Sequence, residues 1–198
     1  MMLAINGMFR SVRSMDMVLP AAAVLHKGDG EGDALLASII QQYQQQGWCI
    51  QGLLTEQGKD MTSKKPMALR DIQSGEVFVI SQYRGRDARG CSLDLGGLSE
   101  AGKVLRNVLN DAENGSVPDL VFINRFGHGE TQGKGLSSEF AELISAGIPV
   151  LTLVSEKYLD AWQTFAGELA EILPLEREVI EGWLHDIQKL NCHPNKSD

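Results

Sequence analysis

His26-Lys27-Gly28-Asp29-Gly30-Glu31-Gly32-Asp33 follows the apolar run Ala21-Ala22-Ala23-Val24-Leu25 and leads into an amphipathic pattern that begins at Ala34. Strand, glycine loop and helix in that order present backbone N–H groups and a helix N-terminus to an anion. A phosphate-gripping loop of the form G-x-x-x-x-G-K-[ST] sets Lys and Ser/Thr after its last glycine, the first to neutralise phosphate oxygens and the second to hold Mg²⁺. Asp33 and Ala34 stand at those places here. A carboxylate there repels phosphate, so the chain has the backbone layout of an anion site without the side chains of the usual hydrolysis. Gly28, Gly30 and Gly32 either open the backbone to a ligand or make a tight strand-to-helix turn, and Asp33 either meets the ligand or caps the helix.

Positive charge gathers in two later segments of a chain whose net charge is −8. One carries Arg84, Arg86 and Arg89; the other, a loop punctuated by Gly127, Gly129, Gly133 and Gly135, carries Arg125, His128 and Lys134. Converging guanidinium forks suit phosphate, carboxylate or another oxyanion, because each donates two parallel hydrogen bonds. The competing reading makes them solvated loop charges partly paired with Asp87 or Glu130. Cys91, beside an arginine and a glycine, is either an activated thiolate or an inert thiol. His185, Cys192 and His193 share one helix and a tail, which is poor preorganisation for a metal. Trp48, Trp162 and Trp183 read as core or interface anchors.

The elements that must position these groups follow from periodicity. Leu35, Leu36, Ile39, Ile40 and Tyr43 recur at helical spacing and close at Gly47; Cys49 to Thr55 reads as a buried strand. Met67 to Ile72 and Glu76 to Ser81 flank Gln73-Ser74-Gly75 as a hairpin. Leu98, Ala101, Val104, Leu105, Val108, Leu109 and Ala112 predict a second helix, and Pro118 to Ile123 a parallel strand. Ser137-Ser138-Glu139 is placed to cap a helix holding Phe140, Leu143 and Ile144, with a strand over 147–154 after it. Trp162, Phe165, Leu169 and Leu173 trace one further helical face, and Val179, Ile180, Trp183, Leu184, Ile187 and Leu190 another.

The 198 residues, 43% apolar and 22% charged, suit one α/β domain, expected over 17–190. Residues 1–16 read as a disordered extension or as lying upstream of the true start, and 191–198 as a loose tail. No apolar run is long enough for a membrane span, and the acidic balance argues against nucleic acid and anionic lipid as partners. Three widely spaced cysteines, an odd number, fit a reducing cytoplasm.

Repeated strand–helix units with glycine loops predict a three-layer α/β fold with a mainly parallel sheet, an inserted β-hairpin and helices on both faces. Leu69-Arg70-Asp71-Ile72-Gln73-Ser74-Gly75-Glu76 resembles the hairpin inserted in the small nucleoside-triphosphatase family of kinase-like P-loop proteins. Leu120 to Gly127 resembles that family's second nucleotide motif, an apolar strand ending in Asp-Glu-x-Gly, with Asn124 and Arg125 replacing the acidic pair. Arg89-Gly90-Cys91-Ser92-Leu93-Asp94, Asn124-Arg125-Phe126-Gly127 and Gly133-Lys134-Gly135 are similar to an uncharacterised bacterial family, a domain of unknown function whose genes tend to lie near molybdate-transport genes. The resemblance runs from about Val18 to Leu173 and implies a degenerate P-loop relative.

The reading that follows is a cytoplasmic accessory or sensory protein with little or no hydrolysis. It would bind a small oxyanion, or a nucleotide with Mg²⁺, through Gly28, Gly30, Gly32, Asp33, Arg84, Arg89, Cys91, Asn124, Arg125, Gly127, His128 and Lys134, with the 127–135 loop closing over the ligand. A second reading is an Mg²⁺-dependent nucleoside-triphosphatase in which Lys27 or Lys134 reaches the phosphates and Asp29, Glu31 or Asp33 holds the metal. A third is an interaction module that dimerises or docks through the helix face of Trp183 and Leu184.

Overall fold

A computed structural model describes residues 19–27, 30–56, 67–82 and 92–191. Nine strands and five helices alternate among them: β1 (Ala21–His26), α1 (Glu31–Gln45), β2 (Ile50–Thr55), β3 (Ala68–Asp71), β4 (Val77–Val79), β5 (Ser81–Gln82), β6 (Ser92–Leu93), α2 (Leu95–Glu113), β7 (Leu120–Phe126), α3 (Ser137–Ser145), β8 (Val150–Ser155), α4 (Leu159–Ala166), β9 (Ala170–Leu173) and α5 (Arg177–Asn191). Seven strands form one sheet in the order β4-β3-β2-β7-β8-β1-β9. The run from β2 to β9 is parallel, and β3 and β4 add the expected antiparallel hairpin at one edge.

Strands covered on both faces read as unbroken apolar runs, which is why Ala21 to Val24 and Leu120 to Ile123 show no alternation. One face packs on Leu98, Ala101, Leu105 and Val108 of α2, on Phe140 and Leu143 of α3 and on Trp162 of α4. The other packs on Leu36, Ile39, Ile40 and Tyr43 of α1 and on Ile180, Trp183, Leu184 and Ile187 of α5. The three-layer α/β expectation holds.

Three expectations are corrected. Leu173 does not continue the helical face of Trp162: Gly167, at φ 58°, follows the end of α4, and the chain re-enters the sheet as β9 beside β1. Ser137 and Glu139 do not cap α3; its N-cap is Leu136, and Glu139 is buried in an ion pair with Arg106. Trp183 and Leu184, 4% and 1% exposed, are spent in the core against α1, so that face offers no docking surface. Burial, and then the nearby Glu181 carboxylate, raise the Tyr43 phenol above its ordinary pKa while Arg177 opposes them. Its hydroxyl stays neutral at the α1–α5 contact, 3.5 Å from His185 Nε2. Among the described residues no helix is long and apolar enough to cross a membrane.

Candidate functional site

The parallel strands β1, β2, β7 and β8 end at His26, Thr55, Phe126 and Ser155 on the edge where α1 begins, the edge at which open α/β sheets bind ligands. Gly30 is the N-cap of α1 and holds φ at 85°, a left-handed conformation that favours glycine. A methyl group on Gly32 would press on the Leu153 side chain at 2.9 Å, so this glycine lets the helix start pack directly on the sheet. Gly28 lies outside the described residues. Gly30 and Gly32 thus serve the strand-to-helix turn in the described structure.

Asp33 is not the N-cap. It is the third residue of α1, with its side chain 10% exposed and turned toward the end of β7. Its Oδ1 accepts from Asn124 Nδ2 at 2.5 Å, and its Oδ2 accepts from Arg125 Nη2 at 2.7 Å. Asn124 Nδ2 gives its second hydrogen to Thr55 Oγ1 at 2.5 Å. One residue of α1, one of β2 and two of β7 therefore form a single polar network. The places where a P-loop enzyme needs a cation and an acidic pair hold Asp33 and Asn124-Arg125: the signs of charge are exchanged and the exchanged groups bond to each other. Asp33 and Glu31 also set carboxylates in the first turn of α1, where they satisfy the positive end of the helix dipole that a phosphate would otherwise use.

Thr152 holds the strand end in place. It is fully buried on β8, donates its hydroxyl to the Ile123 carbonyl at 2.6 Å and accepts from the Phe126 N–H at 3.2 Å. These bonds bridge the register shift between Ile123 and Phe126, the stretch that presents Asn124 and Arg125, whose connecting peptide bond is cis. Thr152→Val keeps the shape and leaves a buried N–H and a buried C=O without that partner. The expected cost is about 2 kcal/mol, read as a lower urea midpoint at unchanged m.

The following loop is tied at both ends. Glu130 accepts from the N–H of Gly127 at 3.0 Å and of Leu136 at 3.1 Å, and a Cβ on Gly135 would strike its Oε1 at 2.1 Å. Glu130 is thus an organiser of its own loop and not the partner of Arg125. His128 and Lys134 stand exposed on the loop, with His128 Nε2 3.2 Å from Gln132 Nε2. Arg84, Arg89 and Cys91 lie outside the described residues. Thr55, Thr152 and Glu130 were not singled out from sequence as parts of the site. Thr55 and Thr152 sit in apolar strands, where a β-branched residue carries no signal of its own.

A groove of about 530 Å³ opens between α1 and the hairpin, lined by Ala34, Ala37, Gln41, Leu54, Arg70 and Ile72 among others. It contains neither Asn124 nor Arg125, and its Arg70 is held by Glu56 at 2.9 Å, so it is a separate feature. Among the described residues the carboxylate at the lysine position is already paired with Arg125. Among the described residues no group of three or more His, Cys, Asp or Glu could hold a metal ion.

The three-layer α/β fold with its mainly parallel sheet is shared by two solved structures. THEP1 from the hyperthermophile Aquifex aeolicus superposes with a TM-score of 0.59 at 15% identity, over 86% of this chain and 98% of that one. A human cancer-related nucleoside triphosphatase gives 0.55 at 14% identity, over 89% and 98%. Residues 21–183 match the family described as protein of unknown function DUF2478, and the chain belongs to that family. It is also 36% identical over 166 residues to the molybdenum import ATP-binding protein ModC 2 of Bradyrhizobium diazoefficiens, a match that spans 83% of this chain and 18% of that protein's length.

Proposed function

We propose that this chain is a non-hydrolysing or weakly hydrolysing module that binds a small oxyanion or a nucleotide at the carboxyl edge of its sheet. Its role would be accessory or sensory, in the cytoplasm, beside ATP-driven molybdate import. The Asp33–Asn124–Arg125 network carries the reading, because its members stand where charge neutralisation, metal anchoring and water positioning would reside in an active enzyme. Only Nη2 of Arg125 is engaged among the described residues, and the side chain is 39% exposed, which leaves its other N–H groups for an anion. The link to molybdate rests on the relative named above, in which a stretch like this chain is a minor part of a longer protein. Fold likeness alone would not supply it.

The test is thermal unfolding and titration calorimetry with ATP, GTP, phosphate, sulfate, molybdate and tungstate, each with and without Mg²⁺, beside a phosphate-release assay. Wild type is expected to show a saturating rise in stability with at least one anion and no Mg²⁺-dependent turnover. Arg125→Ala is expected to weaken that anion by about 10- to 100-fold, the loss of a charge-assisted hydrogen bond. Turnover abolished by a chelator would replace this reading with that of an Mg²⁺-dependent nucleoside-triphosphatase. Stability unmoved by every anion would favour an interaction module.

A further inference from the structure

The groove between α1 and the hairpin has walls of its own, apart from the Asp33–Arg125 network. Ala34, Ala37, Gln41 and Gln44 follow one another at three- and four-residue steps, so they share the face of α1 that lines it. The opposite wall is the sheet: Leu54 and Ile72 pack on the α1–α5 core, and Arg70 stands opposite Leu54 in the β2–β3 register. From Ala34 to Gln44 the helix wall runs about 15 Å at the rise of an α-helix. The volume of about 530 Å³ falls within the roughly 300–1,000 Å³ of small-molecule sites. The charges along the groove are already engaged. Arg70 Nε is held by Glu56 at 2.9 Å, while Asp71 spends Oδ1 on the Gln73 N–H and Oδ2 on the N–H and hydroxyl of Ser74. Ser38 Oγ accepts from Arg177 Nη2 at 2.8 Å. What is left over is neutral: the carboxamides of Gln41 and Gln44 have no partner among the described residues.

From two free carboxamides set along an apolar cleft, we propose that the groove binds an uncharged purine, as the free base or the nucleoside. A glutamine carboxamide holds a donor and an acceptor side by side, and adenine presents the matching pair on one edge, N6–H beside N7. The faces of a flat ring need apolar surface on both sides. Ala37 and Ile40 on the helix, with Leu54 and Ile72 on the sheet, supply it. A phosphorylated purine fits less well, because its phosphate would lie among the carboxylates of Asp71 and Glu56 with Arg70 already paired. The groove therefore reads the base and rejects the charge, the opposite preference to that of a site at Arg125. The inference goes beyond the anion-binding reading and stands or falls apart from it.

Titration calorimetry of the full chain with adenosine, AMP and inorganic phosphate tests this on wild type, Ala37→Phe, Gln41→Ala/Gln44→Ala and Arg125→Ala. Wild type is expected to bind adenosine saturably and at least about tenfold more tightly than AMP, the effect of one repelled charge. Ala37→Phe sets a ring of the protein's own in the cleft and should weaken adenosine by more than about tenfold. Gln41→Ala/Gln44→Ala should weaken it by about 10- to 100-fold, the loss of the paired hydrogen bonds. Arg125→Ala should leave adenosine within about twofold of wild type, as separated sites do. Absence of saturable adenosine binding to wild type would overturn the inference, and so would AMP held as tightly as adenosine. Adenosine binding that survives in folded Ala37→Phe, or that is lost in folded Arg125→Ala, would place the purine elsewhere and overturn it too. If neither groove variant folds, the ratio of adenosine to AMP affinity in wild type and Arg125→Ala decides the matter. Adenosine binding without any binding of phosphate would leave this inference standing and count against the anion-binding reading alone.

Discussion

Gly52→Ala is expected to cost more than about 3 kcal/mol of stability, the sum of a left-handed backbone penalty and overpacking against main chain. Gly52 lies inside β2, opposite Phe122 of β7 in the middle of the sheet, at φ 114°. A Cβ there would sit 2.1 Å from the Phe122 carbonyl oxygen and 3.0 Å from its C and N atoms. These are backbone atoms, so no rotamer change relieves the clash, and the β2–β7 ladder must open. The Gly52 carbonyl also receives the Ile72 N–H at 3.0 Å, which ties the hairpin to the same point. For a chain of this size the loss corresponds to a drop in Tm of about 10 °C. Gly75→Ala is the control: it shares a positive φ but meets open space, and should cost about 1 kcal/mol. Urea midpoints for the two variants within error of each other would show that the strand tolerates a side chain at Gly52. Because β2 supplies Thr55 and β7 supplies Asn124 and Arg125, Gly52→Ala should lose the proposed anion binding together with stability.

Much of this architecture is written in local periodicity. The helical spacing from Leu35 to Tyr43 and the buried runs of β7 and β8 are fixed by which face must meet the core, and the hairpin by its glycine turn at Gln73-Ser74-Gly75. β9 was hidden because Leu169 and Leu173 keep the helical phase set by Trp162 and Phe165. Only the turn at Gly167 and an open sheet edge beside β1 make that segment a strand. The site was legible as a set of separate substitutions and not as a network. Asp33 and Arg125 stand 92 positions apart, and nothing local says that the acid at one place answers the cation at the other. The N-cap expectation for Asp33 failed for a related reason. Carboxylates favour both the cap and the first turn, and Gly30 starts the helix three residues earlier. Glu130, read as a partner for arginine, spends both oxygens on N–H groups of its own loop, a bond that depends on the chain turning back at Gly135.

Trp162→Ala is expected to destabilise the protein by about 4 kcal/mol, whereas Trp162→Phe should cost less than about 1.5 kcal/mol. Trp162 is fully buried on α4, with its ring 5.1 Å from Phe126, 6.1 Å from Phe140 and 6.3 Å from Phe165. Truncation to Ala removes the centre of this cluster and leaves a cavity that three rings from different elements cannot close together. Phenylalanine keeps most of the contacts. It also deletes an indole N–H that is buried without a partner among the described residues, so part of the lost packing is offset by the removal of an unmet donor. The two variants should diverge in function as well. Phe126 directly follows Arg125, so collapse of the cluster in Trp162→Ala shifts the strand end that aims the guanidinium, and anion affinity should fall with stability. Trp162→Phe should bind as wild type does. Paired urea and calorimetric measurements separate the contributions: a Phe variant as unstable as the Ala variant would mean that the indole N–H has a partner and that Trp162 acts as a hydrogen-bond donor as well as a packing centre.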